Sequence, residues 1–334
     1  MNRVEVALDA MGGDHAPEIT VHGAVWAARD FGFQVQLIGK PDIIRLELQK
    51  HNITGLSLPI IPASEVIEMD DHNPASSVKA KKDCSMVVGA QMLKQGETSA
   101  FVTMGNSGGA LAAALLHLGR IRGIRRPAFS TVYPCVSEHG FCFVLDIGAN
   151  ADCKPEYLYQ FALMGSAYTE RVLGIMNPRV AIVSNGEEEG KGSMLVQDTL
   201  PLLKSGPFNF VGNVEGKDIP AGLADVVVTD GFTGNVVIKL SEGLAKMLLD
   251  TIKSEIKARP LAMAGAVLAK PAFTAVGKML DYREFGGGAL LGVNGVVIVG
   301  HGRSDAYAVR NAIRIARQAV ESDVIGVIKS GLGA

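Results

Sequence analysis

Several things are scarce in this 334-residue chain, and each scarcity closes off a class of function. The net charge is only −2 at pH 7, so no global field gathers a polyanion. Aromatic residues make up 6%, and none interleave with the basic clusters, which argues against a single-stranded nucleic-acid surface. No nucleic-acid partner is expected. The four cysteines, Cys84, Cys135, Cys142 and Cys153, form no C-x-x-C pair and have no histidine at zinc-site spacing. They read as reduced thiols of a cytoplasmic protein, and no metal site is expected. Met1 runs at once into the strand-like "RVEVAL". With no basic segment leading into an apolar one, no secretory leader is expected. The apolar stretch "LAMAGAVLAKPAFTAVGKML" (261–280) contains Lys270, Pro271 and Lys278, which argues against a membrane span. Internal repeats and low-complexity linkers are missing too.

What is abundant is glycine and apolar residues. The 39 glycines are about 12% of the chain, against a usual share of about 7%. Such a surplus points to tight turns and to places where backbone closely approaches a ligand. Hydrophobic residues at 48% with 20% charged describe a globular protein with a large core. The length fits one large α/β domain or two lobes.

Short apolar runs alternate with longer helical patterns. Strands are predicted at 4–8, 34–39, 56–61, 99–104, 128–134, 141–147, 179–184, 208–214, 224–229 and 294–300. Stretches long enough for a helix separate most of them, the signature of a mostly parallel sheet covered on both faces. After "TDGFTGN", Val237, Leu240, Leu244, Leu248 and Ile252 recur near a 3.6-residue period. A last helix begins at the Ser304–Asp305 cap and carries Val309, Ile313, Ala316, Val320 and Val324 on one face. In a helical 261–280, Lys270, Thr274 and Lys278 form one narrow polar stripe. Two readings stand: a buried helical hairpin, or a surface helix pair resting on a bilayer or gripping a lipid chain. Lys253, Lys257 and Arg259 just upstream suit an anionic membrane in the second.

Four polar, glycine-rich loops each follow a strand. The first, "LDAMGGDHAP", carries Asp9, Gly12, Gly13, Asp14 and His15. The second, "TMGNSGGA", carries Gly105, Asn106, Ser107 and Gly108; the third, "SNGEEEGKGS", carries Asn185 and Lys191. The fourth, "TDGFTGNV", carries Asp230, Gly231, Thr233, Gly234 and Asn235. The second and fourth lead into helices, whose starts offer unpaired N–H groups and the positive end of a dipole. Glycine lets such a backbone reach a phosphate, so both are candidate anion sites; the alternative is two well-capped helices. Neither matches a P-loop or a dinucleotide fingerprint. His15 is a candidate proton carrier near neutral pH, with Asp9 and Asp14 to orient it, or is structural. Lys191 can meet a phosphate as a point charge or sit in a surface pair with Glu187–Glu189. Asp146 and Asn150 in "DIGAN" line the same cleft or cap the next turn. Arg120, Arg122, Arg125 and Arg126, and the stripe Arg310, Arg314 and Arg317, are solvated faces or docking sites for an acidic partner.

Taken together, "LDAMGGDHAP", "MGNSGG", "DIGAN", "NGEEEGKG", "VEGKDIP", "VTDGFTGNV" and "EFGGGALLGVNG" strongly resemble the PlsX family of phosphate acyltransferases, from Val4 to about Lys329. The one mild departure is "MGNSGGA", where the family pattern suggests Ala-Gly-Asn-Thr-Gly-Ala, and Ser107 keeps the hydroxyl. The resemblance implies a three-layer α/β/α sandwich like phosphotransacetylase and isopropylmalate dehydrogenase. It would be a single catalytic domain over 1–334 with a helical apolar protrusion at about 254–285. It implies a homodimer acting in the cytosol as a peripheral membrane protein. The implied reaction is attack of inorganic phosphate on the thioester of a long-chain acyl-carrier protein, giving acyl phosphate for phospholipid synthesis, with no metal or organic cofactor. Phosphate is then the nucleophile, so no activated Ser or Cys is required. Gly105–Gly108 and Gly231–Asn235 become the candidate phosphate and oxyanion cradle, with Lys191 as charge support. His15 would position or deprotonate phosphate. Three rivals remain: a short-chain phosphotransacetylase using coenzyme A, a β-decarboxylating dehydrogenase, and a non-enzymatic scaffold binding carrier protein at a membrane.

Overall fold

Apolar runs bounded by turn residues become strands here because helices cover both of their faces. The computed structural model describes residues 4–332. Its strands are β1 (Val6–Asp9), β2 (Val35–Gly39), β3 (Ile60–Pro62), β4 (Ala100–Thr103), β5 (Ala128–Pro134), β6 (Phe141–Leu145), β7 (Arg179–Val183), β8 (Asn209–Val214), β9 (Val226–Val228), β10 (Gly288–Leu291) and β11 (Val296–Val299). The helices are α1 (Glu18–Phe31), α2 (Pro41–Leu48), α3 (Pro74–Ala80), α4 (Ser85–Gln95), α5 (Ser107–His117), α6 (Pro155–Arg171), α7 (Met194–Lys204), α8 (Asp218–Ala221), α9 (Gly231–Lys257), α10 (Pro260–Leu268), α11 (Lys270–Met279), α12 (Ala306–Glu321) and α13 (Val324–Gly331).

The strands form one sheet in the order β3-β2-β1-β4-β11-β10-β5-β6-β9-β7-β8. It contains two parallel blocks, β3-β2-β1-β4-β11 and β6-β9-β7-β8. Antiparallel β10 and β5 join them, so the blocks run in opposite directions. The register brings their C-terminal ends together. Val299 at the end of β11 pairs with Gly288, Leu290 of β10 pairs with Phe129, and Ser130 pairs with Leu145 at the end of β6. Loops leaving both blocks therefore meet over the middle of β5.

Side-chain alternation divides the core. On one face Val6, Leu8, Val102, Ile298, Phe143, Leu145, Ile182 and Val228 join a single cluster with residues of α1, α6 and α12. On the other face the cluster under α4 and α5, with Ala7, Phe101 and Val297, is separate from the one holding Val144, Ala181 and Val227. A cleft opens where that second layer is interrupted, and Ile147 packs against both clusters. Buried side chains such as Phe101, Phe143 and Phe161 each contribute about 1.5–3 kcal/mol by leaving water.

The ten predicted strands all appear, shortened by a residue or more at most ends. At 56–61 only Ile60 onward is strand, although the Ser57 and Pro59 carbonyls still accept from Val35 and Leu37. β10 was not foreseen, because "GGGALLG" carries glycine on both sides of a very short apolar run. The predicted last helix breaks after Glu321, and Asp323 in the left-handed region caps α13 through the Gly326 N–H.

Two apolar surfaces stay uncovered in this chain. The predicted apolar row of α9 lies in open water in this chain: Leu240, Leu244 and Leu248 are 60%, 52% and 58% exposed. Residues 261–280 do not form a buried hairpin within the chain. α10 and α11 bury no residue and meet at a 70° bend. Among the described residues no single helix is long and apolar enough to cross a membrane; that pair passes by length and composition only when taken together.

Candidate active site

A cleft of about 430 Å³ lies over β5 between the two blocks. Its floor is Phe129–Val132, and loops from both blocks form its walls. From the first block come Gly105, Ser107 and Gly108 at the start of α5, and Gly300, His301 and Gly302 after β11. Gly148 comes from the second block's β6 loop, and Asn235, Ile238, Lys239 and Glu242 come from α9. Gly286–Gly288, entering β10, close one side.

The entry to α5 is built to leave amides open. Asn106 is its N-cap, with its Oδ1 accepting from the Gly109 N–H at 3.1 Å. Its Nδ2 reaches the Met69 carbonyl at 3.2 Å, which holds the cap in place. The Gly105 N–H donates to Thr103 Oγ1 at 3.0 Å, and that hydroxyl donates to Asp9 Oδ2 at 2.8 Å. Among the described residues nothing accepts from the Ser107 and Gly108 amides, and both residues are exposed to the cleft. An oxyanion there would meet two free donors and the helix dipole.

Asp9 is buried beneath this turn. Burial pushes its pKa up, while donation from Thr103, Met11 and Gly12 opposes that rise. It organises backbone rather than touching the cleft. Gly12 packs against it: a Cβ there would lie 2.5 Å from Asp9 Oδ2 and 2.8 Å from the Gly105 nitrogen, so no other residue fits. Gly13, at φ +111°, turns the chain so that the Asp14 N–H donates to the Gly302 carbonyl at 2.9 Å.

The entry to α9 is arranged differently. Asp230 caps it, with Oδ1 accepting from the Thr233 N–H and Oδ2 from the Thr233 hydroxyl, each at 2.8 Å. The Gly231 N–H donates to the Asn150 carbonyl at 2.8 Å. A Cβ at Gly234 would overlap the Asp146 carbonyl oxygen, so this turn is pressed onto the "DIGAN" loop. Asp146 is fully buried and takes N–H donors from Phe129, Gly148, Ala149 and Asn150, plus the Asn150 side chain. Burial pushes its pKa up and those donors pull it back. The Asn150 side chain also donates to the Pro127 carbonyl.

Of the residues singled out from sequence, the cleft lining therefore contains Gly105, Ser107, Gly108 and Asn235. Asp9, Gly12, Gly13, Asn106, Asp146, Asn150, Asp230, Gly231, Thr233 and Gly234 stand behind it, their polar groups engaged in caps and turns or their backbones packed against them, while Asp14 is exposed beside Gly302 and His301 without being part of the lining. His15 is exposed at the start of α1 and is not part of the lining. Asn185 and Lys191 lie in the loop after β7, two strands beyond β6. Asn185 Oδ1 accepts from the Gly192 N–H, and the Lys191 stem rests near Gly186. Glu187 and Glu189 pair with Lys217 and Lys204, not with Lys191. The Arg310–Arg317 stripe is occupied too: Arg310 pairs with Asp30, Arg317 with Glu321, and Arg314 donates to the Glu284 carbonyl.

Lining groups that were not singled out include Lys239, Glu242, His301 and Gly286–Gly288. Lys239 Nζ pairs with Glu242 at 3.0 Å, and Arg303 approaches the same carboxylate at 3.8 Å. "EFGGG" belonged to the resemblance, and Lys239 stands one helical turn after Asn235. Gly286–Gly288 and Lys239 were thus within reach of the sequence by their neighbours. No cluster of three or more His, Cys, Asp or Glu among the described residues is suited to a metal ion.

Comparison with known proteins agrees with this architecture. The family model described as "Fatty acid synthesis protein" matches residues 4–327. The phosphate acyltransferase of Dictyoglomus turgidum is 49% identical over 330 residues, 98% of each chain. That of Heliobacterium modesticaldum is 50% identical over 327 residues, covering 98% of this chain and 97% of its own. Among solved structures, a phosphotransacetylase from Streptococcus pyogenes superposes with a TM-score of 0.65 at 18% identity, covering 96% of this chain and 94% of its own. The EutD phosphotransacetylase from Staphylococcus aureus gives 0.63 at 16%, covering 95% and 94%. These two speak for the fold, an α/β architecture on a large, mostly parallel sheet. The near-full-length identity carries the rest: the chain belongs to the fatty acid synthesis protein family, the PlsX phosphate acyltransferases.

Proposed function

We propose that the acyl donor is a long-chain acyl-carrier protein, and that the acyl phosphate formed feeds phospholipid synthesis. The observation that carries this reading is the pair of unengaged amides at Ser107 and Gly108, facing one cleft with Asn235 and Lys239. Inorganic phosphate sits on those amides with Lys239 as counter-charge. A phosphate oxygen attacks the thioester carbonyl carbon, and the tetrahedral intermediate collapses with loss of the carrier thiolate. The proton carried in on phosphate leaves with that thiolate, giving acyl phosphate and free thiol. Because both reactants are held, orientation supplies on the order of 7 kcal/mol at good geometry. Met69, Leu111, Phe129, Ile147, Ile238 and Phe285 give the cleft an apolar side suited to the acyl end.

Exposed Arg122, Arg125 and Arg126, which hold no ion pair among the described residues, suit an acidic carrier protein. The exposed apolar row of α9 suits a homodimer, and the α10–α11 tip suits contact with a membrane surface from the cytoplasm. The test is purified protein with palmitoyl-carrier protein and radiolabelled phosphate, scored for labelled acyl phosphate. Turnover of acetyl-coenzyme A but not of the carrier substrate makes the chain a short-chain phosphotransacetylase. Carrier binding without any turnover makes it a scaffold.

A further inference from the structure

His301 lines the cleft half-buried, in the turn between β11 and α12. Its Nδ1 accepts from the Arg303 backbone N–H at 3.2 Å. That bond assigns the ring's own proton to Nε2 in the neutral form, since Nδ1 keeps its lone pair. A second proton would have to take Nδ1 and break this contact. The surroundings oppose it as well. Burial, then Lys239 of α9 and Arg303 of its own turn, lower the His301 pKa, while Glu242 of α9 and Asp14 of the β1 loop act the other way more weakly. These effects favour the neutral imidazole, whose Nε2–H has no partner among the described residues, in a residue that lines the same cleft as Ser107 and Gly108.

Phosphate transfer to an acyl group generates one new negative centre, the carbonyl oxygen of the tetrahedral intermediate. We infer that His301 is a catalytic residue of this reaction, and that its Nε2–H donates to that oxyanion. It is neither the base that deprotonates phosphate nor the phosphate anchor. A ring locked with Nδ1 as acceptor has only a proton at Nε2 to offer, so it enters the reaction as a donor. As the thioester oxygen gains charge the hydrogen bond shortens and strengthens, and it relaxes when the carbonyl re-forms in acyl phosphate. No net proton passes through the ring; the phosphate proton still leaves with the thiolate. The role rests on the family's phosphate acyltransferase activity and holds for any thioester donor.

The test compares His301→Ala and His301→Gln on the purified enzyme, after thermal melts show both folded. Whichever thioester the wild type turns over is the substrate, so a wrong carrier assignment leaves the result readable. The expected result for His301→Ala is a fall in kcat of about 100-fold or more, the usual loss for one oxyanion donor, with KM for phosphate within about 3-fold. Gln places an amide N–H near the Nε2 position and is expected to recover at least tenfold of that loss. Three outcomes overturn the inference. Unchanged kcat in His301→Ala removes the residue from the chemistry. A loss expressed mainly in KM for phosphate makes it an anchor. His301→Gln as inactive as the alanine variant, with the acidic limb of the wild-type pH profile abolished in both, makes it a base.

Discussion

The two helix entries at the cleft, α5 and α9, look alike in sequence and behave differently in structure. Both follow a strand end, both begin with a small polar loop, and both have a buried aspartate beneath them. At α5 the cap takes one amide, that of Gly109, and the Ser107 and Gly108 amides stay open. At α9 the cap and the "DIGAN" loop take the Gly231 and Thr233 amides, leaving that of Phe232. What α9 presents to the cleft is side chains, Asn235 and Lys239, from its exposed face. One helix start offers backbone charge and the other offers a scaffold for side chains. A glycine-rich loop before a helix is therefore a candidate anion site only where the cap leaves donors over.

The sharpest way to break the comparison is at the aspartates. Asp146→Ala removes a fully buried acceptor shared by four backbone N–H groups, one from β5 and three from the loop that follows β6. Stranded donors cost about 1–3 kcal/mol each and do not add simply, so a loss of at least about 3 kcal/mol is expected in chemical denaturation. A smaller loss means that the α9 entry is not built on that carboxylate.

The next largest effect is expected at Ser107→Pro. Position 107 is the first residue of α5, where proline is tolerated, and Asn106 before it has φ −57° and ψ 118°, compatible with a following proline. The substitution deletes one open amide and the hydroxyl while keeping the helix. A fall of about 100-fold in kcat/KM for phosphate is expected, as for one oxyanion donor, with the melting temperature nearly unchanged. Ser107→Ala isolates the hydroxyl and should be much milder. If both variants turn over like wild type, phosphate does not sit on this tip.

Much of the fold was legible because its signals are local. Apolar runs such as "VEVAL" and "DVVVT" between helix-length stretches specify a doubly covered sheet, and β10 escaped because its glycines mask a four-residue strand. The α9 periodicity predicted a helix and said nothing of its burial, since a 3.6-residue pattern marks an apolar face but not what covers it. The site was legible in part. Loops carry their chemistry in plain sequence, so Ser107, Gly108 and Asn235 stood out. Whether a donor is free or already engaged depends on partners far away in the chain, such as Asn150 with Gly231 or Asp9 with Thr103. His301 and Lys239 reach the cleft only because β11 ends beside β10 and α9 crosses the second block.

The two smallest predictions concern residues that a sequence reading places in the site and the geometry places behind or beyond it. Asp230→Ala removes the α9 cap, so a loss of about 1 kcal/mol of stability is expected, with kcat/KM for phosphate changed by less than about 3-fold because the amides it holds face no ligand. The equivalent change at the other entry, Asn106→Ala, lowers stability by a similar amount. It also lets the Ser107–Gly108 turn drift, so its kcat/KM should fall well below that of Asp230→Ala. That contrast between two caps of equal strength is the finest test of the comparison. Lys191→Ala calibrates it. An exposed lysine whose ammonium holds no ion pair among the described residues, in a loop two strands from the cleft, should change neither stability beyond about 0.5 kcal/mol nor phosphate kinetics. If Lys191→Ala instead raises KM for phosphate tenfold, the β7 loop closes over the substrate during turnover, and the α9 side of the cleft acquires a charge that the resting geometry keeps away from it.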